Sequence, residues 1–298
     1  MGVHYAGRLP GTLYIVATPI GNLEDITHRA LRVLREAAVI ACEDTRQTRK
    51  LLEHYGIATP LISFHEHNES ERTPELILRL KAGQAVALVA DAGTPLISDP
   101  GYRLVSAARE AGLAVVPVPG PSAVTAALSA SGLPTDSFRF GGYLPPRSSA
   151  RQAELKRAAA DSATLVYFES PHRILDSLAD IAAILGERPV VLARELSKVH
   201  EEFLRGTAAS LRAELARRPR IRGEFTVLIG RERKPAAAAV DSSCLAQFLE
   251  AAQAAGVPRK EALKQAARYF QVGKRRIYRC FTAGAAAADP AAGDSNAG

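Results

Sequence analysis

Short runs of apolar, often β-branched residues alternate with stretches of helical length along the first half of the chain. The stretches THRALRVLREA and TPELILRLKAG have the amphipathic spacing of helices, and the second closes on Gly83, a residue type common at helix ends. Continuous apolar strands separated by helices predict βαβ units and a mostly parallel sheet. Five such strands are predicted at LYIVAT (13–18), AVIAC (38–42), PLISF (60–64), AVALVA (85–90) and AVVPV (114–118).

The alternation breaks at SGLPTDSFRFGGYLPPRSS, where Gly, Pro and Ser cluster, and then resumes. The sequence therefore predicts two α/β domains, residues 11–135 and 136–232. Strands of the second domain are predicted at FRFGGY (138–143), TLVYF (164–168), PVVLA (189–193) and FTVLIG (225–230), with helices near 148–160, 171–185 and 207–217.

A polar, alanine-rich joint, RERKPAAAAVDSS, leads into a compact helical unit predicted for residues 241–282. Val257-Pro258 opens one helix, and Gly273 forms the turn before KRRIYR. This spacing is typical of a helix-turn-helix, whose last helix presents cations to nucleic acid. Residues 283–298 are mostly alanine, glycine and small polar types, which predicts a disordered tail.

The formal net charge of +7 is concentrated in this unit. Between Arg259 and Arg279 there are eight basic residues and one acid, Glu261, so the segment carries +7 and the remainder sums to zero. A neutral body with one basic end indicates a polyanionic partner that is contacted at that end. A solvated basic face that merely aids solubility is the alternative.

Composition also argues against several classes of protein. No run of 18 apolar residues occurs, and the start MGVHYAGRLPG has neither the charged nor the apolar region of a secretion signal, so we expect a soluble cytoplasmic protein with no membrane span. Cys42, Cys244 and Cys280 are far apart and form no CxxC pair. Neither a disulfide framework nor a zinc cluster is therefore indicated.

Ligands of an open parallel sheet bind beyond the carboxyl ends of its strands, and the loops there are rich in Gly, Pro and polar residues. No loop contains GxGxxG or GxxxxGK[ST], which argues against NAD and ATP and favours a cofactor without phosphates, such as S-adenosylmethionine. Each loop taken alone is also compatible with a tight structural turn. The loops are TPIGNLEDIT (18–27), EDTRQT (43–48), HEHNES (65–70), DAGTPLISDPG (91–101) and PGPSAVTAA (119–127).

These motifs resemble those of the small-subunit ribosomal RNA cytidine 2′-O-methyltransferases, a branch of the tetrapyrrole-methylase superfamily, over roughly residues 11–282. The resemblance implies two α/β domains with S-adenosylmethionine in the cleft between them, a homodimer, and a C-terminal unit that docks on small-subunit ribosomal RNA. The motifs that carry it are TPIGNLEDIT, IACEDTRQTRKLL, SFHEHNE, DAGTPLISDPG, PGPSA, YFESPHR (167–173), ARELSKVHEE (193–202) and GEFTVLI (223–229).

By position in these motifs, the resemblance also implies which residues contact the cofactor. In the first domain they are Asp91, Gly93, Thr94, Ile97, Ser122 and Ala123. In the second domain, where the motifs are looser, they are Phe168, Leu192, Gly223 and Thr226.

Methylation of a ribose hydroxyl needs a group that accepts its proton, or a cation that stabilises the emerging alkoxide. Candidates of these types follow the predicted strands, and a network of structural salt bridges between loops is the alternative role for them. No metal site is predicted, because His65 and His67 would alternate faces at a strand end and no further ligand is suitably spaced. The candidates are Asp44, Arg46, His65, Glu66, Glu169 and Arg173.

Two other functions fit parts of the pattern. A precorrin-type tetrapyrrole methylase would share the fold and the cofactor loops but has little use for a basic helical unit. A regulator that senses a small ligand and binds DNA would use that unit, whereas polar residues concentrated over the strand ends favour an enzyme.

Overall fold

The computed structural model describes residues 11–231, 242–269 and 277. The chain divides into two compact units, the first ending at Glu232 and the second beginning at Arg233. The first unit contains both α/β series predicted from the sequence.

The first sheet is entirely parallel, as predicted, with strand order β3-β2-β4-β1-β5. Its central strands are buried because apolar side chains from helices cover both faces. Its strands are β1 (Thr12–Val16), β2 (Val39–Cys42), β3 (Leu61–Ser63), β4 (Val86–Val89) and β5 (Ala114–Val118). The helices that follow them are α1 (His28–Glu36), α2 (Thr45–His54), α3 (Glu69–Lys81), α4 (Tyr102–Glu110) and α5 (Ala123–Ser131).

Helix α3 begins at Glu69, earlier than the TPELILRLKAG pattern predicts, and it runs through Pro74. The turn before it is closed by Asn68, whose Oδ1 accepts the N–H of His65 at 2.8 Å and whose amide donates to the carbonyl of Ser63 at 3.1 Å. Local side-chain hydrogen bonding therefore sets the start of the helix.

The second sheet is mixed, with strand order β6-β7-β10-β8-β9. Only the β6–β7 pair is parallel, and the other three pairs are antiparallel. Its strands are β6 (Phe138–Tyr143), β7 (Thr164–Glu169), β8 (Pro189–Arg194), β9 (Glu202–Thr207) and β10 (Phe225–Ile229), and its helices are α6 (Ser148–Ala159), α7 (Ile174–Leu185) and α8 (Ala208–Ala216).

Strand β9 is absent from the sequence prediction. It is an edge strand whose residues, EFLRGT, are mostly half-buried and include Arg205 and Gly206, so it lacks the continuous apolar pattern of a central strand. Its pairing with β8 forms an antiparallel hairpin, so this part of the series is not a βαβ unit.

Helix α5 connects the two sheets physically, because it follows β5 of the first sheet and packs on the second. Its residues Val124, Ala127 and Leu128 share an apolar cluster with Val166 and Leu228 of the second sheet. The loops after the first-sheet strands are thereby brought against the second sheet.

In the second unit, α9 (Ser242–Ala254) and α10 (Arg259–Tyr269) are joined through Val257-Pro258, where the sequence predicts a helix start. Their core includes Leu245, Leu263 and Ile277. The cations Lys260 and Arg268 of α10 are exposed. The predicted KRRIYR helix lies outside the described residues, except for Ile277. Cys280 and the predicted tail also lie outside them. No helix in the described part of the chain is long and apolar enough to cross a membrane.

Candidate active site

A cavity of about 370 Å³ lies where the loops of the first sheet meet the second sheet. Its volume falls within the range of small-molecule sites, about 300–1,000 Å³. Its lining comprises Ile20, Glu43, Asp91, Ala92, Gly93, Thr94, Ile97, Ser98, Asp99, Ser122, Ala123, Tyr143, Phe168, Glu169, Ala193, Leu196, Lys198, Glu224, Phe225 and Thr226.

The loop after β4, residues 91–101, forms much of the wall and is held by hydrogen bonds to neighbouring loops. Thr18 and Gly93 exchange both backbone hydrogen bonds, at 2.9 and 3.0 Å. The Thr94 hydroxyl donates to the carbonyl of Pro121 at 3.1 Å. At the far end, the buried Glu69 carboxylate accepts the N–H of Gly101 at 3.1 Å. The loop is therefore a preformed surface.

Gly93 leaves room in the cavity. Its φ is +82°, which favours glycine, and an added Cβ would lie 3.4 Å from Cγ2 of Ile20. Any longer side chain would have to share this space with a ligand.

Carboxylates dominate the charge of the lining. Burial, followed by the charges of Glu43 and Asp91, raises the pKa of Asp99 to about 6. Burial and the charge of Asp91 also raise the pKa of Glu43. Among the described residues, Lys198 is the one basic residue of the lining, and its Nζ donates to Glu224 at 3.1 Å. A cation placed in the cavity would relieve the repulsion among these carboxylates.

The lining also contains apolar and aromatic side chains. Phe168 makes an edge-to-face contact with Phe140, with ring centroids 4.9 Å apart. Ile20, Ala123 and Leu196 contribute to the same lining. The cavity therefore offers both carboxylates and apolar surface, which suits a ligand with a cationic group and a flat base.

The segment after β8 joins this site to the first loop of the chain. Glu195 and Ser197 have positive φ, 51° and 65°. The Ser197 hydroxyl hydrogen-bonds the carboxylate of Asp25. Gly21 is packed so closely that an added Cβ would lie 2.5 Å from Cγ of Lys198. This contact region fixes Lys198 at the cavity wall.

Eight of the ten residues predicted to contact the cofactor line this cavity: Asp91, Gly93, Thr94, Ile97, Ser122, Ala123, Phe168 and Thr226. Leu192 is fully buried in the core on the other face of β8, and its neighbour Ala193 lines the cavity instead. Gly223 is next to the lining residue Glu224, with φ +86° and no room for a Cβ beside Glu195.

The predicted catalytic residues fall into separate groups. Glu169 lines the cavity and forms an ion pair with Arg173 at 2.8 Å. Asp44 caps α2 and pairs with Arg46 through bonds of 3.1 and 2.9 Å, and its N–H donates to Asp91 at 3.0 Å.

Hydrogen bonds from Arg46 lower the pKa of Asp44 to about 2, so this carboxylate is a weak base.

His65 and Glu66 follow β3 and do not line the cavity. Among the described residues, no group of three or more potential ligands could hold a metal ion.

The lining also includes Asp99, Tyr143 and Lys198, which were not singled out from the sequence. Asp99 belongs to DAGTPLISDPG, so its motif indicated the place. Its raised pKa depends on packing, which the sequence does not encode locally.

Comparison with known proteins decides the family. A profile described as tetrapyrrole (corrin/porphyrin) methylases matches residues 12–212, which include both sheets except β10. The chain belongs to the tetrapyrrole methylase family.

Two relatives of this tetrapyrrole methylase have the same name, ribosomal RNA small subunit methyltransferase I. The protein from Halalkalibacterium halodurans is 50% identical, over 91% of this chain and 94% of the relative. The protein from Escherichia coli O157:H7 is 47% identical, over 92% of this chain and 96% of the relative. Both alignments extend well beyond the 201 residues of the family match and involve nearly the whole length of each relative.

Two solved structures have the same fold as this tetrapyrrole methylase. Uroporphyrin-III C-methyltransferase from Thermus thermophilus is 24% identical, with a TM-score of 0.52 over 74% of this chain and 94% of that one. Diphthine synthase is 18% identical, with a TM-score of 0.59 over 74% of this chain and 90% of that one.

Proposed function

We propose that this protein transfers a methyl group from S-adenosylmethionine to the 2′-hydroxyl of a cytidine ribose in small-subunit ribosomal RNA. The observation that carries the proposal is the 50% identity, over 94% of its length, to a relative named ribosomal RNA small subunit methyltransferase I. The cavity and the placement of the predicted residues support it.

The charge and the volume of the cavity support S-adenosylmethionine as the cofactor. When bound, this cofactor supplies a methyl group on a positively charged sulfur. Asp91, Asp99 and Glu43 provide the negative charge that favours such a cation. The space over Gly93 and the apolar surface near Phe168 would hold the remainder, and the sequence contains no phosphate-binding glycine motif that would favour a nucleotide polyphosphate.

Among Asp44, Glu169 and His65, we assign the acceptance of the ribose proton to His65. The Asp44 carboxylate has a pKa of about 2, and the Glu169 carboxylate already accepts bonds from Ser177 and Ser170. In contrast, Nδ1 of His65 is shielded from solvent and has no hydrogen-bond partner in the described part of the chain. His65 is also near enough to the lining residue Glu43 that its charge acts to lower the pKa of that carboxyl.

The test of the function is to map 2′-O-methylation of ribosomal RNA in cells with and without this protein, and to repeat the reaction with purified protein and ribosomal subunits. We expect one cytidine of the small-subunit RNA to lose its methyl group without the protein and to regain it in vitro. Unchanged methylation in the deleted cells, together with no transfer in vitro, would refute the proposal.

Three further expectations are part of the proposal. They are a homodimer, a cytoplasmic location, and a division of the first unit into α/β domains at residues 11–135 and 136–232. Light scattering on the purified protein measures the first, and independent expression of residues 11–135 tests the third.

We expect Gly93→Leu to weaken S-adenosylmethionine binding at least about tenfold, because the side chain would occupy the space beside Ile20. Gly112→Leu is the matched control: Gly112 has φ +69°, but an added Cβ meets nothing within 4 Å. Both variants carry the cost of a positive φ, so both should lose stability, and calorimetry should show loss of affinity only in the first. Equal affinities would place the cofactor elsewhere.

The basic unit is expected to contribute RNA affinity and little to the chemistry. Lys260 and Arg268 are exposed on α10. Their joint replacement by glutamine should flatten the salt dependence of RNA binding by roughly 0.7 in slope for each phosphate that is no longer neutralised. The matched control replaces Arg29 and Arg109, two exposed cations of the first unit. The docking role would be contradicted if the two double variants had the same salt-dependence slope. It would also be contradicted if protein lacking residues 241–298 had the slope of the full-length protein.

A further inference from the structure

Tyr143 is an aromatic residue that is open to solvent although it lines the cavity. About half of its surface, 54%, is exposed. Its ring contacts Phe168 edge-to-face, with centroids 5.6 Å apart, and Phe168 is itself held by Phe140. The Tyr143 ring is therefore supported on one side, while much of its remaining surface can receive a ligand.

The backbone of β6 is built to place this ring. Pairing of β6 with β7 shifts register just before Tyr143. Gly141 lies against the ring of Tyr167, where an added Cβ would approach within 2.2 Å. Gly142 has φ +70° and approaches Ser98 of the loop after β4. Two successive glycines thus allow an irregularity that aims Tyr143 at the edge of the cavity.

Charge decides which part of an RNA can enter. Glu43, Asp91, Asp99 and Glu224 surround the cavity, and Lys198 is the one basic residue that the described part of the chain contributes to its lining. Phosphates are repelled by such a surface, whereas the ribose and the base carry no charge. A ribose that reaches the cavity brings its base with it, and bases of single-stranded RNA are readily turned out onto aromatic side chains.

We propose that Tyr143 is the platform on which the base of the target nucleotide stacks while its ribose is methylated. This inference rests on the proposed function and adds the residue that binds the substrate base. Burial, then the charges of Glu224 and Asp99, raises the pKa of Tyr143, so the ring remains neutral at physiological pH. Stacking tolerates any base, so Tyr143 holds the target base without selecting cytosine.

The test measures methyl transfer to small-subunit RNA at saturating S-adenosylmethionine for Tyr143→Ala, Tyr143→Leu and Tyr143→Phe. We expect the alanine variant to raise KM for RNA about tenfold or more with a smaller change in kcat, because stacking on an aromatic ring is lost. The leucine variant, which retains apolar packing on Phe168, should behave like alanine. The phenylalanine variant should restore KM to within about twofold.

Tyr102→Ala is the control, because Tyr102 is 75% exposed at the start of α4 and is not part of the cavity lining. A leucine variant with wild-type KM would overturn the inference. A Tyr143→Ala protein that binds S-adenosylmethionine poorly but has an unchanged KM for RNA would also overturn it, since the ring would then serve the cofactor. Wild-type protein that methylates no ribosomal RNA would refute the proposed function itself, and this inference with it.

Discussion

We expect Asp99→Asn to weaken S-adenosylmethionine binding about tenfold to a hundredfold, the usual worth of a hydrogen bond or contact with a charged partner. Asp99 lines the cavity, and its pKa is raised to about 6 by burial and by Glu43 and Asp91. Affinity of the wild type should fall as the pH is lowered through about 6, because protonation removes the negative charge. Calorimetric titrations from pH 5 to 8 measure both effects.

The same substitution should raise the melting temperature at neutral pH. The folded-state pKa of Asp99, about 6, is above the ordinary value of 3.8, so this group progressively destabilises the fold as the pH rises from 3.8 to about 6, and the full penalty persists above that pH. Below pH 3.8 the group is protonated in both states, and the advantage of asparagine should vanish there. A variant that melts lower than the wild type at pH 7.5 would show that the Asp99 charge is already compensated in the free protein.

Asp44→Asn is a control that should change the melting temperature in the opposite direction. Hydrogen bonds from Arg46 hold the pKa of Asp44 at about 2, below its ordinary 3.8. The charged form therefore stabilises the fold above pH 3.8, and this contribution is lost as the pH falls through about 2. We expect Asp44→Asn to lower the melting temperature at neutral pH, whereas Asp99→Asn raises it.

The second large effect is structural: we expect Glu169→Ala to cost about 3–5 kcal/mol of unfolding free energy. The Glu169 side chain is fully buried and accepts hydrogen bonds from Ser177 at 2.5 Å and the N–H of Ser170 at 2.8 Å, besides its ion pair with Arg173. Its removal leaves the two serine donors without this acceptor and the Arg173 charge without its carboxylate partner. Urea unfolding of the variant gives the free energy directly.

Glu75→Ala is the matched surface case, because Glu75 pairs with Arg72 and Arg79 on exposed turns of α3. It should cost no more than about 1 kcal/mol. Methyl transfer by Glu169→Ala should fall only as the folded fraction falls. A variant with wild-type stability and a rate reduced ~10²–10⁴-fold would instead assign the carboxylate to the chemistry.

The sequence predicted the parts of the molecule in which local pattern and environment agree. The central strands β2 and β4 of the first sheet are buried on both faces, so their continuous apolar runs identify them. The edge strand β9 is half-buried and carries Arg205 and Gly206, and its pattern resembles a loop. Pairing with β8, a contact distant from any local signal, makes it a strand.

The site was predictable in location and less so in detail. Motif position placed Leu192 at the cofactor, yet the pleat of β8 turns Leu192 and Val190 into one core and Ala193 and Val191 into the other. Which of the two faces meets the cavity depends on the packing of α5 against the second sheet. The raised pKa of Asp99 likewise arises from carboxylates on two loops, Glu43 and Asp91, that only the fold brings together.

One of the two edges of the first sheet, strand β5, is protected by its own sequence. The carbonyl of Val118 accepts the N–H of Ala17, the residue after β1, so the residue before Val118, Pro117, directs its backbone toward the free side of β5. Proline has no N–H to offer there, and its ring obstructs an approaching strand. A strand that approached β5 could therefore not form a continuous ladder of backbone hydrogen bonds. This protects the apolar sheet from edge-to-edge aggregation at β5.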